Sequence, residues 1–182
     1  MVQGKAWINN YKDIDEEQVA RLAADAGISR LLAKVFISRG IFDISFIREF
    51  MKPELSDMHD PFLMDGMDTA VDRILKALKD RESILIYGDY DVDGIVGTSI
   101  LFDYLGLKGG RVEYFLPDRM EDGYGLTEST VEKVRLLDVS LMITVDCGIT
   151  SVDEIEALKQ GGLDVIVTDH HECKELLPDA YA

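Results

Sequence analysis

The chain has 182 residues, a formal net charge of −16 and 47% hydrophobic residues, which suits one medium domain or a domain with a smaller lobe. No apolar run approaches the roughly 20 residues that span a bilayer, and the N-terminal residues lack the apolar stretch of a signal peptide. The two cysteines, Cys147 and Cys173, form neither a metal-binding spacing nor a disulfide framework. We therefore expect a cytoplasmic protein with no membrane partner. Such an acidic chain repels a polyanion unless some of its acids are gathered around metal cations.

The first 55 residues carry the pattern of short helices. Asp15 and Ser29 stand where N-caps are expected, and a glycine follows each of the first two apolar-periodic stretches. This region also holds the one clearly basic stretch, between Ile28 and Pro53, which we interpret as a solvated helix face. We assign residues 1–55 to an N-terminal helical segment. Its predicted helices are 16–26, 30–39 and 43–51.

Residues 56–182 are predicted to form a second domain, which opens with the turn-rich stretch SDMHDPFLMDG. Helical and strand patterns then alternate, with Thr127 as a helix cap and Ser151 and Glu154 as a capping box. Strands joined by helices of this length imply βαβ units, so we expect an α/β fold with a doubly wound, mostly parallel sheet. The predicted helices are 69–80, 94–106, 127–138 and 151–162, and the predicted strands are 83–89, 111–117, 141–146 and 163–169.

Three of the four predicted strands end in acidic residues, and two histidines follow the last of them. The residues are Asp89, Asp91 and Asp93 after the first strand, Asp146 after the third, and Asp169, His170 and His171 after the fourth. A single Asp after a strand is common, because Asp favours turns and helix caps. The carboxyl ends of parallel strands meet at one edge of a sheet, where ligands bind. We therefore predict that these side chains form one site.

Five clustered carboxylates repel one another unless cations neutralise them. Carboxylates combined with imidazoles suit Mn²⁺ or Mg²⁺ better than a thiolate-loving metal. One Asp shared by two cations is the arrangement of a two-metal hydrolase. Asp146 follows a strand of its own, so it is our choice for the shared ligand.

Two other motifs compete for the same residues. DYDVDG fits the opening of an EF-hand calcium loop, but the twelfth position from Asp89 is Ile100 rather than the required Glu. The pattern of aspartyl-phosphate phosphatases would make Asp89 or Asp91 a nucleophile, but it leaves the tandem His170 and His171 without a role. The two-metal interpretation accounts for more of the residues than either.

The stretch LPDRMEDGYGL places Arg119 near the glycine-framed Tyr124. Arg pairs with phosphate in bidentate fashion, and a glycine-flanked loop can approach a ligand closely. The alternative is a surface loop without a role in binding. We predict Arg119 and Tyr124 as substrate-binding residues and leave the two readings open.

Several segments together resemble the DHH phosphoesterase family, and its RecJ-type branch most. They are YGDYDVDG followed by GTSIL, PDR with GYGL, VDCG, VTDHH, and the more N-terminal FISRGIFD and DPFLMDGMDTAVDRI. The resemblance covers about the whole chain. It implies hydrolysis of phosphodiesters with two Mn²⁺ or Mg²⁺ ions, by an enzyme that degrades single-stranded DNA from the 5′ end to mononucleotides in DNA repair and recombination.

The resemblance also implies a role for each residue of the predicted site. The implied metal ligands are Asp89, Asp91, Asp93, Asp146 as the bridge, and His170; the implied catalytic residues are Asp169, which orients the histidines, and His171, which contacts phosphate or assists the leaving group. One position departs from the family pattern. Many members have a His where this chain has Tyr87, a poor metal ligand while protonated.

The chain stops at Ala182, where the family pattern continues into a further acidic motif and a second domain. We therefore expect a folded chain that is an incomplete catalyst, with far less activity than a full-length enzyme. Two alternative functions remain: a phosphodiesterase of short oligonucleotides or cyclic dinucleotides, and a non-catalytic DHH-fold binding module.

Overall fold

Residues 14–118, 123 and 125–182 are described by the computed structural model of this chain. Among the helices in these ranges, none combines the length and the apolar character that crossing a membrane requires. The chain divides into two compact units, residues 1–59 and 60–182. The boundary falls in a stretch of exposed residues that contains two short 3-10 turns, Leu55–Asp57 and Pro61–Leu63.

Within residues 14–59, the first unit contains three α-helices, as the sequence predicts. They are α1 (Glu16–Ala26), α2 (Arg30–Ser38) and α3 (Ile44–Met51). Each begins at a residue whose side chain accepts a hydrogen bond from a backbone N–H of the first turn, which satisfies one donor that the helix leaves unpaired. The caps are Asp15, Ser29 and Asp43. The helices pack around a small apolar core of Val19, Ala33, Phe36 and Ile47.

The second unit is a four-stranded sheet with helices between its strands. In chain order the elements are α4 (Met67–Asp80), β1 (Ser83–Gly88), α5 (Val92–Leu107), β2 (Arg111–Phe115), α6 (Glu128–Arg135), β3 (Leu141–Val145), α7 (Val152–Gln160) and β4 (Asp164–Thr168). The strands are all parallel and lie in the order β2-β1-β3-β4. This confirms the predicted α/β fold with a parallel sheet.

The central strands β1 and β3 are buried on both faces, as strands of parallel sheets generally are, whereas the edge strand β2 is largely exposed. Ile84 and Ile86 of β1 pack in one apolar cluster, with residues of α4 and α5. Leu85 and Tyr87 pack in a second cluster, with residues of α6 and α7. This alternation along one strand places a layer of helices on each face, so the predicted double winding is correct.

Several predicted bounds and one predicted cap differ from the structure. Helix α5 begins at Val92, two residues before the predicted start, because Asp91 caps it. The capping box at α7 does not form: Ser151 has ψ 60, outside the extended conformation of a capping residue, and its side chain makes no capping hydrogen bond. The stretch after His171 is irregular, and Tyr181 N–H donates to Val165 O of β4 at 2.7 Å.

Candidate metal centre

The candidate site lies where the order of the strands reverses. The chain goes from β1 to one neighbour, β2, and later returns to its other neighbour, β3, which creates a crevice at the carboxyl ends of β1 and β3. Asp89 directly follows β1, and its N–H donates to Val145 O at 3.1 Å. Asp146 directly follows β3, and its N–H donates to Thr168 O at 2.9 Å. Both carboxylates therefore begin from backbone that the sheet holds in place.

The turn between β1 and α5 presents Asp91. Its Oδ1 accepts the N–H groups of Asp93 at 2.9 Å and Gly94 at 3.2 Å, so the residue caps the helix. The turn is tight, because a Cβ at position 94 would lie 2.3 Å from Asp89 O. Only glycine fits at position 94. The DxDxDG pattern in this structure therefore marks the tight turn between a strand and a helix.

Asp146 occupies a strained backbone position at the centre of the site. Its φ is +62°, in the left-handed region that non-glycine residues rarely adopt. It is buried, and its Oδ1 lies 2.9 Å from His170 Nε2 and 3.9 Å from His171 Nδ1. This oxygen nevertheless accepts no aligned hydrogen bond from the described residues. A buried carboxylate oxygen in that condition is one that a cation would satisfy.

Asp169 holds the second histidine. Its Oδ1 lies 2.7 Å from His171 Nδ1 and also accepts the backbone N–H of His171 at 3.0 Å. Its Oδ2 accepts the N–H of Ile149 at 3.0 Å. The carboxylate is almost fully buried, whereas the rings of His170 and His171 are exposed and lie 4.8 Å apart. Asp169 thus contacts both the imidazole and the backbone of His171, and its orienting role stays a prediction.

Burial and hydrogen bonding give the site's ionisable groups different pKa shifts. Burial, together with the charge of Asp91, raises the pKa of Asp146. Hydrogen bonds from the backbone of Gly94 and Asp93 lower the pKa of Asp91. Burial opposes ionisation of Asp169, but the hydrogen bonds that it accepts from Ile149 and His171 bring its pKa below the usual value. The same contact with Asp169 raises the pKa of His171.

Among the described residues, two groups of three side chains bring their ligand atoms close enough for a metal ion, and they share Asp146. One consists of Asp89, Asp91 and Asp146, and the other of Asp146, His170 and His171; within each group the ligand atoms lie within 4.8 Å of one another. Oxygen ligands with imidazole nitrogens suit Mn²⁺ and Mg²⁺. The structure thus brings six of the seven predicted residues together. Five of them belong to the two groups, and Asp169 joins them through its contact with His171. It does not bring Asp93 into either group, because this exposed residue lies in the first turn of α5.

Tyr87 stands where many family members have His, but in this structure it is a core residue rather than a metal ligand. It is fully buried, its ring stacks on Phe115 at 5.5 Å, and its hydroxyl donates to Gly125 O at 2.9 Å. Tyr87 is in neither ligand group. The alternation of side chains along β1 is enough to predict that Tyr87 lies in the core with Leu85. Nothing in the sequence identifies Gly125 as its hydrogen-bond partner.

Arg119 and Tyr124, the predicted substrate-binding residues, lie outside the described residues. Gly125 is described, and it borders a cleft of about 420 Å³ beside the histidines. Ser151 also lines this cleft, which reaches Asp169 and His171. The sequence pattern indicates only a helix cap at Ser151, and nothing in it predicts that the residue lines a cleft.

Comparison with known proteins assigns the class to which this α/β fold and site belong. The model of the "DHH family, N-terminal domain" matches residues 83–182, which is more than half of the chain. The chain therefore belongs to the DHH family.

Its relatives include several exonucleases. It is 40% identical over 168 residues to the "Single-stranded-DNA-specific exonuclease RecJ" of Bacillus subtilis, an alignment that covers 92% of this chain and 21% of that protein. It is 33% identical over 171 residues to the protein of the same name from Salmonella typhimurium. That alignment covers 92% of this chain and 28% of that protein. The chain thus spans between a fifth and a third of these relatives.

Solved structures of RecJ exonucleases also match this chain. A crystal structure of exonuclease RecJ bound to manganese matches with a TM-score of 0.62 and 38% identity, over 65% of this chain and 30% of that one. RecJ from Thermus thermophilus in complex with Mn²⁺ matches with a TM-score of 0.66 and 30% identity, over 92% of this chain and 23% of that one. The shared fold includes the sheet that carries the candidate site.

Proposed function

We propose that this chain carries the two-metal centre of a RecJ-like 5′→3′ exonuclease that hydrolyses the phosphodiester bonds of single-stranded DNA in repair and recombination. The observation that carries the proposal is Asp146. It lies at the switch point of the sheet and belongs to both three-residue ligand groups, so one carboxylate can serve two cations at once.

The relatives support the substrate and the metals. Those from Bacillus subtilis and Salmonella typhimurium are named single-stranded-DNA-specific exonucleases, and the matched RecJ structures contain Mn²⁺ or, in one case, Mg²⁺. Because the chain spans only 21% of the Bacillus subtilis relative, the direction of degradation and the role in repair belong to the proposal. The bacterial relatives also make the cytoplasm the compartment that we propose.

The residues of the two groups would divide between two ions. Asp89 and Asp91 would hold one ion, His170 would hold the other, and Asp146 would bridge them. When bound, such a pair of ions supplies Lewis acidity that activates water at neutral pH and neutralises the charge of a phosphoryl group. His171 stands close enough to be a further ligand of the second ion. Asp93 remains a predicted ligand that would need its side chain to turn toward the cluster.

The Asp169–His171 pair can move a proton. The short contact from Asp169 Oδ1 to His171 Nδ1 favours the form of the ring that carries a proton on Nδ1. Its hydrogen bond with Asp169 also raises the pKa of His171, so the doubly protonated ring persists to a higher pH. His171 can then donate a proton from Nε2 to a departing oxygen, while Asp169 keeps the ring in place.

The charge of the chain bears on how DNA is bound. A formal charge of −16 opposes the approach of a polyanion. We propose that DNA affinity depends on basic surface outside these 182 residues, since the chain spans only 21% and 28% of the Bacillus subtilis and Salmonella typhimurium relatives. The 182-residue chain alone should then bind metal but degrade DNA slowly.

The decisive experiment compares two substrates in Mn²⁺: a long single-stranded DNA labelled at its 5′ end, and a dinucleotide. We expect the natural protein that carries this chain to release labelled mononucleotides from the DNA and to prefer it over the dinucleotide. Preference for the dinucleotide would favour the short-oligonucleotide alternative. Hydrolysis of neither, with Mn²⁺ bound, would favour the non-catalytic module.

A further inference from the structure

The cleft beside His171 adjoins the candidate metal centre, and its walls come from three separate parts of the chain. Gly125 and Leu126 precede α6, Ser151 begins α7, and Asp169 and His171 follow β4. Its volume of about 420 Å³ is within the range of small-molecule sites. A phosphate at the metal centre would therefore have an open cleft of ligand size next to it.

Ser151 lines this cleft with a hydroxyl that a ligand can reach. The residue is 7% exposed, and its side chain neither caps α7 nor makes a hydrogen bond with any other described residue. Its Oγ is not among the enclosed unpaired polar atoms of the described residues, so water can reach it and a ligand can replace that water. The side chain also lies close to Gly125, since a Cβ added there would be 3.7 Å from Ser151 Oγ.

The described lining is acidic rather than basic. Glu154 and Glu172 contribute carboxylates to it, whereas the carboxylate of Asp169 is almost fully buried and holds His171. The two glutamates repel a second phosphate but accept hydrogen bonds from sugar hydroxyls and base N–H groups. Leu126 adds an apolar surface. The neutral sugar and base of a nucleotide therefore fit the described part of the cleft better than another phosphate does.

Tyr87 holds the part of the lining that lies next to Ser151. Its hydroxyl donates to Gly125 O at 2.9 Å and lies 3.4 Å from Thr130 Oγ1, within fully buried surroundings. Gly125 itself has a φ of +71°, a conformation that side chains rarely adopt. The phenol thus ties the backbone at Gly125 to β1, the strand that leads into Asp89.

We propose that the cleft is a nucleoside subsite, that the Ser151 hydroxyl binds the sugar or base of the nucleotide whose phosphate lies at the metal centre, and that Tyr87 is a positioning residue that holds Gly125 beside Ser151. The inference rests on the proposed function, because the phosphate of that nucleotide needs the metal centre. It goes further by assigning recognition of the nucleoside to two residues outside that centre.

The test uses the 182-residue chain loaded with Mn²⁺ and two probes, thymidine 5′-monophosphate and inorganic phosphate. Titration calorimetry should show that the nucleotide binds more tightly than phosphate. Ser151→Ala should weaken nucleotide binding by about tenfold, the effect of one hydrogen bond to a buried hydroxyl, and leave phosphate binding unchanged. Tyr87→Phe should weaken nucleotide binding similarly and speed hydrogen exchange at residues 125–127 by about five- to tenfold, because the anchor of that backbone is lost.

Matched controls separate recognition from folding. Ser140→Ala removes an exposed hydroxyl before β3, and Tyr114→Phe removes an exposed one on β2. Neither should change the affinity for either probe, and all four variants should keep their Mn²⁺ titration and circular dichroism. A nucleotide that binds no more tightly than phosphate, or that is unaffected by Ser151→Ala and Tyr87→Phe, overturns the nucleoside subsite. Failure of both Mn²⁺ and phosphate to bind would instead overturn the proposed metal centre.

Discussion

Asp146 combines features that rarely occur together in one residue. Its backbone is in the left-handed region, its side chain is buried, and burial raises its pKa. Each of these features opposes stability in the chain without metal, and each is offset if the carboxylate holds cations. Strain concentrated at one aspartate is consistent with a site that selection has kept for binding rather than for stability.

Replacement of Asp146 by asparagine should damage metal binding more than any other single change in the site. Asparagine tolerates a positive φ better than alanine does, so the backbone survives while the shared negative charge is lost. We expect the apparent Mn²⁺ affinity to fall by at least about 100-fold, since even an outer-shell partner of a metal site contributes up to that much. Titration calorimetry measures the effect.

Asp138→Asn is the matched control, because Asp138 is an exposed carboxylate before β3, at the other end of the strand from Asp146. It should bind Mn²⁺ as the unaltered chain does. An Asp146→Asn variant with an unchanged Mn²⁺ titration would show that no two-metal centre is built on this residue.

At the scale of the elements, a buried arginine joins three parts of the second unit. Arg73 of α4 is 5% exposed, and it lies 2.6 Å from carboxylate oxygens of both Glu82, just before β1, and Asp164, the first residue of β4. It also donates to Ser140 O, before β3, at 3.3 Å. One side chain thus links the starts of three strands, at the end of the sheet opposite the metal centre.

This cluster makes stability depend on pH in acid. Burial opposes ionisation of Glu82, but its contacts with Lys76 and Arg73 hold its pKa below the usual 4.5. A carboxyl whose pKa is lowered by folding contributes stability that is complete above the unfolded value and is lost as the pH falls through the folded value.

Glu82→Gln should therefore reduce the free energy of unfolding by about 1–3 kcal/mol at pH 7, the range for hydrogen bonds to charged groups. The difference from the unaltered chain should shrink as the pH falls below 4.5. Urea unfolding followed by circular dichroism at a series of pH values measures it. A difference that stays constant down to pH 3 would contradict a contribution from the ionised Glu82.

At the scale of the whole molecule, the metal centre should couple ligand binding to the stability of the second unit. A ligand that binds only the folded state stabilises it by mass action, by about 2.7 kcal/mol at a hundredfold excess over the dissociation constant. For a protein of this size, we expect millimolar Mn²⁺ to raise Tm by about 5 °C or more, and Ca²⁺ to raise it less.

Differential scanning fluorimetry with and without Mn²⁺ tests this coupling. The Asp146→Asn variant should lose most of the increase in Tm, whereas Asp138→Asn should keep it. A melting curve that is the same with and without Mn²⁺ would count against an assembled centre.

The two compact units also predict where the folded chain is cut by proteases. Every residue from 51 to 66 is exposed, and the boundary between the units lies inside this stretch. Among the described residues, we expect brief thermolysin treatment to cleave there first, as exposed segments with little packing are preferred sites. Mass spectrometry should identify a product that begins near residue 60 and still binds Mn²⁺. A product that has lost Mn²⁺ binding would show that the site needs the first unit.

Much of the architecture follows from local patterns in the sequence. The 3.6-residue period of α1, bounded by Asp15 and Gly27, predicts the observed helix to the residue. The apolar runs that end in acids predict β1, β3 and β4 to within a residue at each end. These features depend on neighbours a few positions away, so the sequence alone determined the parallel α/β fold and the edge at which the acids collect.

Which of the acids at that edge lie together in each ligand group depended on the tertiary structure. Only the strand order β2-β1-β3-β4 places Asp146 between Asp91 and His170, and only the early start of α5 leaves Asp93 exposed in its first turn. The roles of Tyr87 and Ser151 also emerged only from packing, because their neighbours come from distant parts of the chain. Distances between side chains on different strands are set by strand order and register, which local periodicity does not encode.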